Sequence, residues 1–319
     1  ELRTLGALDL RDGNGVELRS LLVQPSRTAL LVYLGVAAPR GYHRRDSLLA
    51  LFWPEQDAAS ARVALRQALH QLRRAIGDGA LLSRGDEEVA LDAARCRCDV
   101  VAFEQALDAG APDRAVDLYR GPFLDGFFLS GAPEFERWVE SERDRLSRRY
   151  AAALEQLAQD AESRSDMAAA IQWWTRLAAH DPYTGRVAIR LMHALEAAGD
   201  RAGAIRHADL HGARLRADLD AEPDPDVATF AVQLRLQPSP RELRRPASLA
   251  PAAPTAGAAS LEPAGGPPRR GRPAALLGLA RGGIAGVWTG GPVRRPQRAP
   301  PGHTALPGAH PRAAAPGHV

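Results

Sequence analysis

The sequence predicts an α+β N-terminal unit, then an all-α helical repeat unit, then a disordered C-terminal tail. Three observations carry this reading. Residues 1–98 hold short, Gly-punctuated apolar segments on either side of three helical patterns. From Asp99 onward the apolar period is helical and stays helical. After Gln237 the chain turns to Pro, Ala, Gly and Arg with almost no periodicity. That composition has too little apolar material to offset chain entropy. The predicted boundaries are therefore 1–98, 99–237 and 238–319. A length of 319 residues, with 45% hydrophobic and 25% charged, suits a globular protein of about two domains.

In the first stretch, "LRTLGALDLRDGNGVELRSLLV", Leu2, Leu8 and Leu10 roughly alternate with polar residues, and "DGNG" is a strong turn signal. One or two small hairpins follow from this. "SRTALLVYLGVAA" is a helix with Ser26 as its expected N-cap, closed by Pro39 and Gly41. "RRDSLLALFW" is a second short helix, ended by Pro54. "DAAS" leads into a third, "SARVALRQALHQLRRAI" at 60–76, which Gly77 ends. In "DGALLSRGDEEVALDA" two short strands, 81–83 and 89–91, flank a turn at 85–88. Sheet, three helices and hairpin, in that order, make a winged helix-turn-helix.

The third helix has an unusual polar face. At 100° per residue, Ala64, Leu65, Ala68, Leu69, Leu72, Ala75 and Ile76 fall within one arc of about 140°. Arg62, Arg66, Gln67, His70, Gln71, Arg73 and Arg74 fill much of the other half, with no acid among them. Ordinary surface helices mix signs, because i,i+4 pairs help them. Duplex DNA is a polyanion whose major groove admits a helix. Arg reads guanine, Gln reads adenine, and both reach phosphate. The face alone leaves a solvated helix and a DNA-binding helix both open. The preceding short helix and the following hairpin favour DNA.

Composition excludes other chemistry. All 41 basic residues are arginine. A phosphate loop needs its lysine, as does a Schiff base. Cys96 and Cys98 are two cysteines without partners for a disulfide framework or a four-ligand zinc site. His207 and His211 lie i,i+4, but no third ligand is evident, and a solvated pair is expected. No G-x-S-x-G, H-E-x-x-H or Cys–His arrangement occurs. The expectation is a non-enzyme without cofactor or metal. Scarce cysteine fits a reducing, cytoplasmic setting. No secretory signal opens the chain, and it begins at Glu1, so the true N-terminus is expected upstream. The run at 274–288 is shorter than the ~20 apolar residues of a membrane helix, and Arg281 interrupts it.

Charge is uneven. Residues 1–98 carry 14 Arg and 12 acids (+2), 99–237 carry 16 and 24 (−8), and 238–319 carry 11 and 2 (+9). Within the helical stretch, "RSDMAAAI" and "AGDRAGAI" repeat 34 residues apart, matching Asp166 with Asp200, Ala170 with Ala204 and Ile171 with Ile205. That is the tetratricopeptide period. "DRAVDLY" at 113–119 is an earlier, less regular copy. Of Trp173 and Trp174, one is expected between helices and the other near the surface. Phe135 and Trp138 are expected in the core or between domains. Glu134, Glu136, Glu140 and Glu142, among Arg137, Arg143 and Arg145, read as a surface laced with i,i+4 pairs or as a face for a protein partner such as a polymerase subunit.

"ARVALRQALHQLRRAI" followed by "LLSRGDEEVALDA" resembles the recognition helix and wing of OmpR-type winged helices. More specifically, it resembles the antibiotic-regulatory type of transcriptional activator, in which a bacterial transcriptional activator domain follows the winged helix. "CDVVAFEQAL", "YRGPFLDGFF" and "FERWVESERDRLSRRY" match blocks of that second domain, and the resemblance covers residues 2–237. It implies a tetratricopeptide-like second domain and sequence-specific binding to promoter DNA. It also places Arg62, Arg66, His70, Arg73 and Arg74 where family members touch DNA, and Arg84 on a wing strand near phosphate. The acidic tip, Asp86, Glu87 and Glu88, departs from that pattern and argues against a close wing contact.

The leading expectation is a cytoplasmic DNA-binding transcriptional activator whose repeat domain serves self-association or effector and partner contact. The modest +2 of residues 1–98 points to tandem sites or a homo-oligomer. Two alternatives stand beside it. One is a tetratricopeptide-type scaffold with a winged helix that does not bind DNA. The other is a weakly membrane-tethered regulator using 274–288.

Overall fold

The computed structural model describes residues 1–236. The expected tail at 238–319 and the run at 274–288 lie outside the described residues. No helix among the described residues is long and apolar enough to cross a membrane.

The N-terminal half is a small β part wrapped around helices. β1 (Leu2–Arg3) pairs antiparallel with β2 (Asp9–Leu10), Leu2 opposite Leu10. The "DGNG" turn closes on Asp12, whose Oδ1 accepts from the backbone of Asn14 and Val16, both at 2.9 Å. A single turn, α1 (Arg19–Leu22), follows and was not anticipated. α2 (Pro25–Val36) starts two residues earlier than Ser26 capping requires. Pro25 sits at its first position, where a fixed φ and a missing N–H cost nothing. Gln24 is the cap residue and Ser26 lies inside the first turn.

β3 (His43–Arg44) leads directly into α3 (Arg45–Phe52). α4 (Ala58–Ile76) is capped by Asp57, whose side chain accepts from Ala59 and Ser60 backbone N–H groups, both at 3.0 Å. Gly77, at φ +96°, ends it. A 3-10 turn (Asp78–Ala80) then feeds β4 (Leu81–Arg84), which pairs with β5 (Glu88–Leu91). The sheet order is β3-β5-β4, all antiparallel, with His43 and Ser83 both opposite Val89. β3 has two residues, too short to show a period in sequence.

The rest is helical: α5 (Asp99–Asp108), α6 (Pro112–Leu118), α7 (Pro133–Ser163), α8 (Met167–His180), α9 (Gly185–Ala197), α10 (Arg201–Leu219) and α11 (Pro225–Leu236). Each packs on the next in the chain, the neighbour-on-neighbour arrangement of a repeat stack. The 34-residue period has a physical basis. Asp166 caps α8 by accepting from Ala169 N–H at 3.0 Å, and Asp200 caps α10 by accepting from Gly203 N–H at 2.8 Å. Four residues on from each cap, Ala170 and Ala204 are fully buried. Trp174 is fully buried, and its indole N–H donates to Glu162 at 2.7 Å, while Trp173 is half-buried.

The hydrophobic core runs without a break from Leu2 to Ala194. Across residues 98 and 99 it is held by aromatic packing. Tyr33 of α2 meets Trp138 of α7 edge-on at 4.8 Å, and Phe52 of α3 meets Phe135 of α7 at 5.3 Å. The N-terminal segment is woven into the helical half. Leu5 bridges Phe123, and Ala7 bridges Asp125. Asp99 accepts from Thr4 N–H at 2.7 Å, from Leu5 N–H at 2.8 Å and from the Thr4 hydroxyl at 2.9 Å. Arg143 of α7 donates to the carbonyls of Phe123 and Leu124 at 2.7 and 2.8 Å, fixing the "YRGPFLDGFF" block.

The charges at the start of α7 are arranged differently from the expected i,i+4 lacing. The observed pairs are i,i+3: Arg137 with Glu134, Arg143 with Glu140, and Arg145 with Glu142. Glu142 is buried, and Glu136 accepts from Leu129 N–H at 2.7 Å. Half of the row therefore faces protein rather than solvent.

Candidate nucleic-acid interface

α4 lays one face on the core and leaves the other open. Ala61, Leu65, Ala68, Leu69 and Leu72 are buried. Arg62, Arg66, Gln67, His70 and Arg74 are exposed. None of Arg62, Arg66 and Arg74 forms an ion pair with another described residue. They form a positively charged strip in which each guanidinium keeps all its donors for a ligand.

Arg73 and Arg84 stand differently from the other candidates. Arg73 is half-buried and donates to the Ser83 hydroxyl of β4 at 3.0 Å, so it ties the helix to the hairpin. Arg84 is exposed, but its guanidinium lies 4.0 Å from the centre of the Tyr42 ring and pairs with Glu88 at 3.3 Å. The acidic tip is thus partly spent: Glu88 faces Arg84, while Asp86 and Glu87 are exposed on the turn.

Two residues outside the sequence prediction join this face. Val63 is 42% exposed, an apolar side chain set among the arginines. Arg45, the first residue of α3, lines a cleft of about 370 Å³ with Arg62, Arg66, Leu49, Leu65, Asp46 and Asp86. Its backbone N–H donates to the Glu87 carbonyl at 2.8 Å, which pins the hairpin turn beside α3. Helix periodicity marks faces within one element, so it gave no sign that Arg45 would meet Arg62 across elements. It did carry a sign for Val63, which breaks the polar half of the wheel.

The loop after α2 is held to α5 and α7 by a network of charges. Glu104 of α5, 7% exposed, accepts from Arg40, from Arg145 at 2.5 Å and, as a longer ion pair, from Arg149 at 3.5 Å. Arg149 also pairs with Asp108 at 2.6 Å. Burial pushes the Glu104 carboxyl up, but hydrogen bonds from Arg145 and Arg40 outweigh it, so the group stays below the usual carboxylate range.

His207 and His211 are not the solvated pair expected. His211 is 4% exposed and its Nδ1 donates to the Pro182 carbonyl at 3.0 Å, while His207 is half-buried. Burial lowers the His207 pKa. Among the described residues no group of three or more His, Cys, Asp or Glu is placed to hold a metal ion.

Residues 91–235 match the family of the bacterial transcriptional activator domain. The chain carries that domain. Its match begins on the last residue of β5 and ends within α11, so it takes in the whole helical half. The fold is also similar to that of EmbR from Mycobacterium tuberculosis, solved in complex with a low-affinity phosphopeptide. That likeness has a TM-score of 0.51 and 20% sequence identity, over 76% of this chain and 67% of that one. At such identity it speaks to the fold alone. No curated protein matches the chain.

Proposed function

We propose that this transcriptional activator binds double-stranded promoter DNA through a winged helix-turn-helix at residues 1–98, with α4 as the recognition helix. The observation that carries the reading is the unpaired, one-signed outer face of α4, with Arg62, Arg66, Gln67, His70 and Arg74 all exposed. Three helices followed by a hairpin give such a face the frame from which it enters a major groove.

The roles divide by position. Arg66, Gln67, His70 and Arg74 face outward for base edges, and Val63 offers an apolar surface of the kind a thymine methyl meets. Arg45 and Arg62 flank the cleft where a phosphate would sit, and Arg84 reaches phosphate only by leaving Glu88. Arg73 acts mainly as the strut to Ser83. The helical half, 99–237, serves self-association or contact with a partner such as RNA polymerase. The protein acts in the cytoplasm, where promoter DNA is found, and does no catalysis of its own.

The test is a gel-shift titration with DNA from upstream of the coding region, over a range of salt. Wild type should show affinity falling steeply with salt. Replacing one phosphate-contacting arginine, such as Arg62→Ala, should reduce the slope by about one. If wild type and Arg66→Ala/Arg74→Ala bind alike, the face is misassigned. Retention of a protein partner with no salt-sensitive DNA binding would favour the scaffold reading instead, to which the acidic turn lends its one support.

A further inference from the structure

Between the two halves lies a cavity of about 450 Å³. Its walls come from the C-terminal end of α2 (Leu34, Gly35), the following loop (Arg40, Gly41), the segment from Leu91 to Cys98, and α5 (Val101, Ala102, Gln105). The volume lies within the range of small-molecule sites. Gly35 helps to keep the space open: a Cβ there would come within 3.2 Å of the Leu91 side chain, which already lines the wall.

The lining has a definite chemistry. Most of it is apolar: Leu34, Leu91, Val101, Ala102 and the two cysteines. Arg40 and Arg97 are its charged members, and no acid lines it. Arg40 is held by Glu104, whereas Arg97 is exposed and forms no ion pair with another described residue. The wall carrying Arg97 is fixed in place, since Leu2 N–H donates to the Arg97 carbonyl at 2.8 Å. Cys96 and Cys98 are both buried and unpaired. Burial pushes the Cys98 thiol up to about 12. It therefore stays protonated and adds to the apolar wall rather than bringing a negative charge.

We propose that this cavity is a binding site for a small amphipathic organic anion, with its apolar body against Leu34, Leu91 and Val101 and its anionic group at Arg97 and Arg40. Such a ligand touches α2 of the N-terminal half and α5 of the activator domain at once. The proposal stands on the cavity and does not depend on the DNA-binding reading.

The test uses the full chain and two related fluorescent probes. One is 1-anilinonaphthalene-8-sulfonate; the other is N-phenyl-1-naphthylamine, the same rings without the sulfonate. The sulfonate probe should saturate at one site per chain and bind at least about ten-fold more tightly than its neutral relative, the order of one charge-assisted contact. Arg97→Glu should erase that preference, and Ala102→Trp, which fills the cavity, should abolish saturable binding of both. Ala102 and Arg97 are exposed, so neither change opens the core, and circular dichroism melting should match wild type. Wild-type binding by folded Ala102→Trp, or equal affinity for the two probes in wild type, overturns the site.

Discussion

Arginine does opposite work on α4 and at the α5–α7 junction. On α4, Arg62, Arg66 and Arg74 are exposed and have no carboxylate partner among the described residues. At the junction, Arg40, Arg145 and Arg149 converge on Glu104, with Glu142 and Asp108 completing the set. In the first case the charge is left for something outside the chain. In the second it is consumed to hold two segments together. The residue type is the same, and only the neighbours decide which job it does. Net charge over the whole chain averages these two uses and hides both.

The comparison predicts that the two sets fail differently. Arg66→Ala combined with Arg74→Ala should weaken DNA binding by about 100-fold, at roughly 1.4 kcal/mol per lost contact. The melting temperature should not move. A loss of stability in that variant would mean that the face is structural after all. Arg145→Ala should do the reverse. It leaves Glu104 and Glu142 short of a partner, and a cost of about 2 kcal/mol is expected, moderated because Arg40 and Arg149 remain. Denaturant titration measures it, and the folded fraction should still bind DNA.

Smaller effects sharpen the contrast. Asp86 lines the cleft with Arg62 and Arg66, so its charge opposes any phosphate there. Asp86→Asn should tighten DNA binding by about three-fold, or ~0.7 kcal/mol, with the gain shrinking at high salt. Unchanged affinity would mean that the acidic turn points away from the duplex. Acid should weaken the junction. Glu104 is held below its ordinary value, so its contribution is complete above about pH 4.3 and is lost as pH falls through the lower, folded-state value. His180 acts earlier in the same direction. Burial lowers its pKa, so folding is favoured above about pH 6.5 and is weakened as pH falls below that value. Melting curves from pH 7 to 3 should show a loss beginning near 6.5, and His180→Gln should remove part of that first step.

Much of this was legible because it is local. The apolar arc of α4 became its buried face, and "DGNG" became a turn closed by Asp12. The matched pair Asp166 and Asp200 became two equivalent helix caps. What stayed hidden depends on distant residues. Nothing near β3 signals that His43 will pair with Val89, and nothing near Arg45 signals Arg62. The row of alternating charges on α7 looked solvated, since its period gives no sign that Glu142 will be buried or that Arg145 will reach Glu104 of α5. Arg73 shows the same limit at the site itself. Its place on the wheel put it with the arginines expected to face DNA, and only the hairpin's position reveals its bond to Ser83.

The packing of α3 on α7 has a mechanical consequence. α7 runs for 31 residues, which makes it a rod about 46 Å long. Near one end it grips α3 through Phe135 and Phe52, and toward the other it carries α8 and the helices beyond. Between those ends it is pinned again, by Arg143 to the Phe123 and Leu124 carbonyls and by Arg145 to Glu104. Because α3 packs directly on both α7 and α4, the arginine face and the helical repeats hang on one continuous beam.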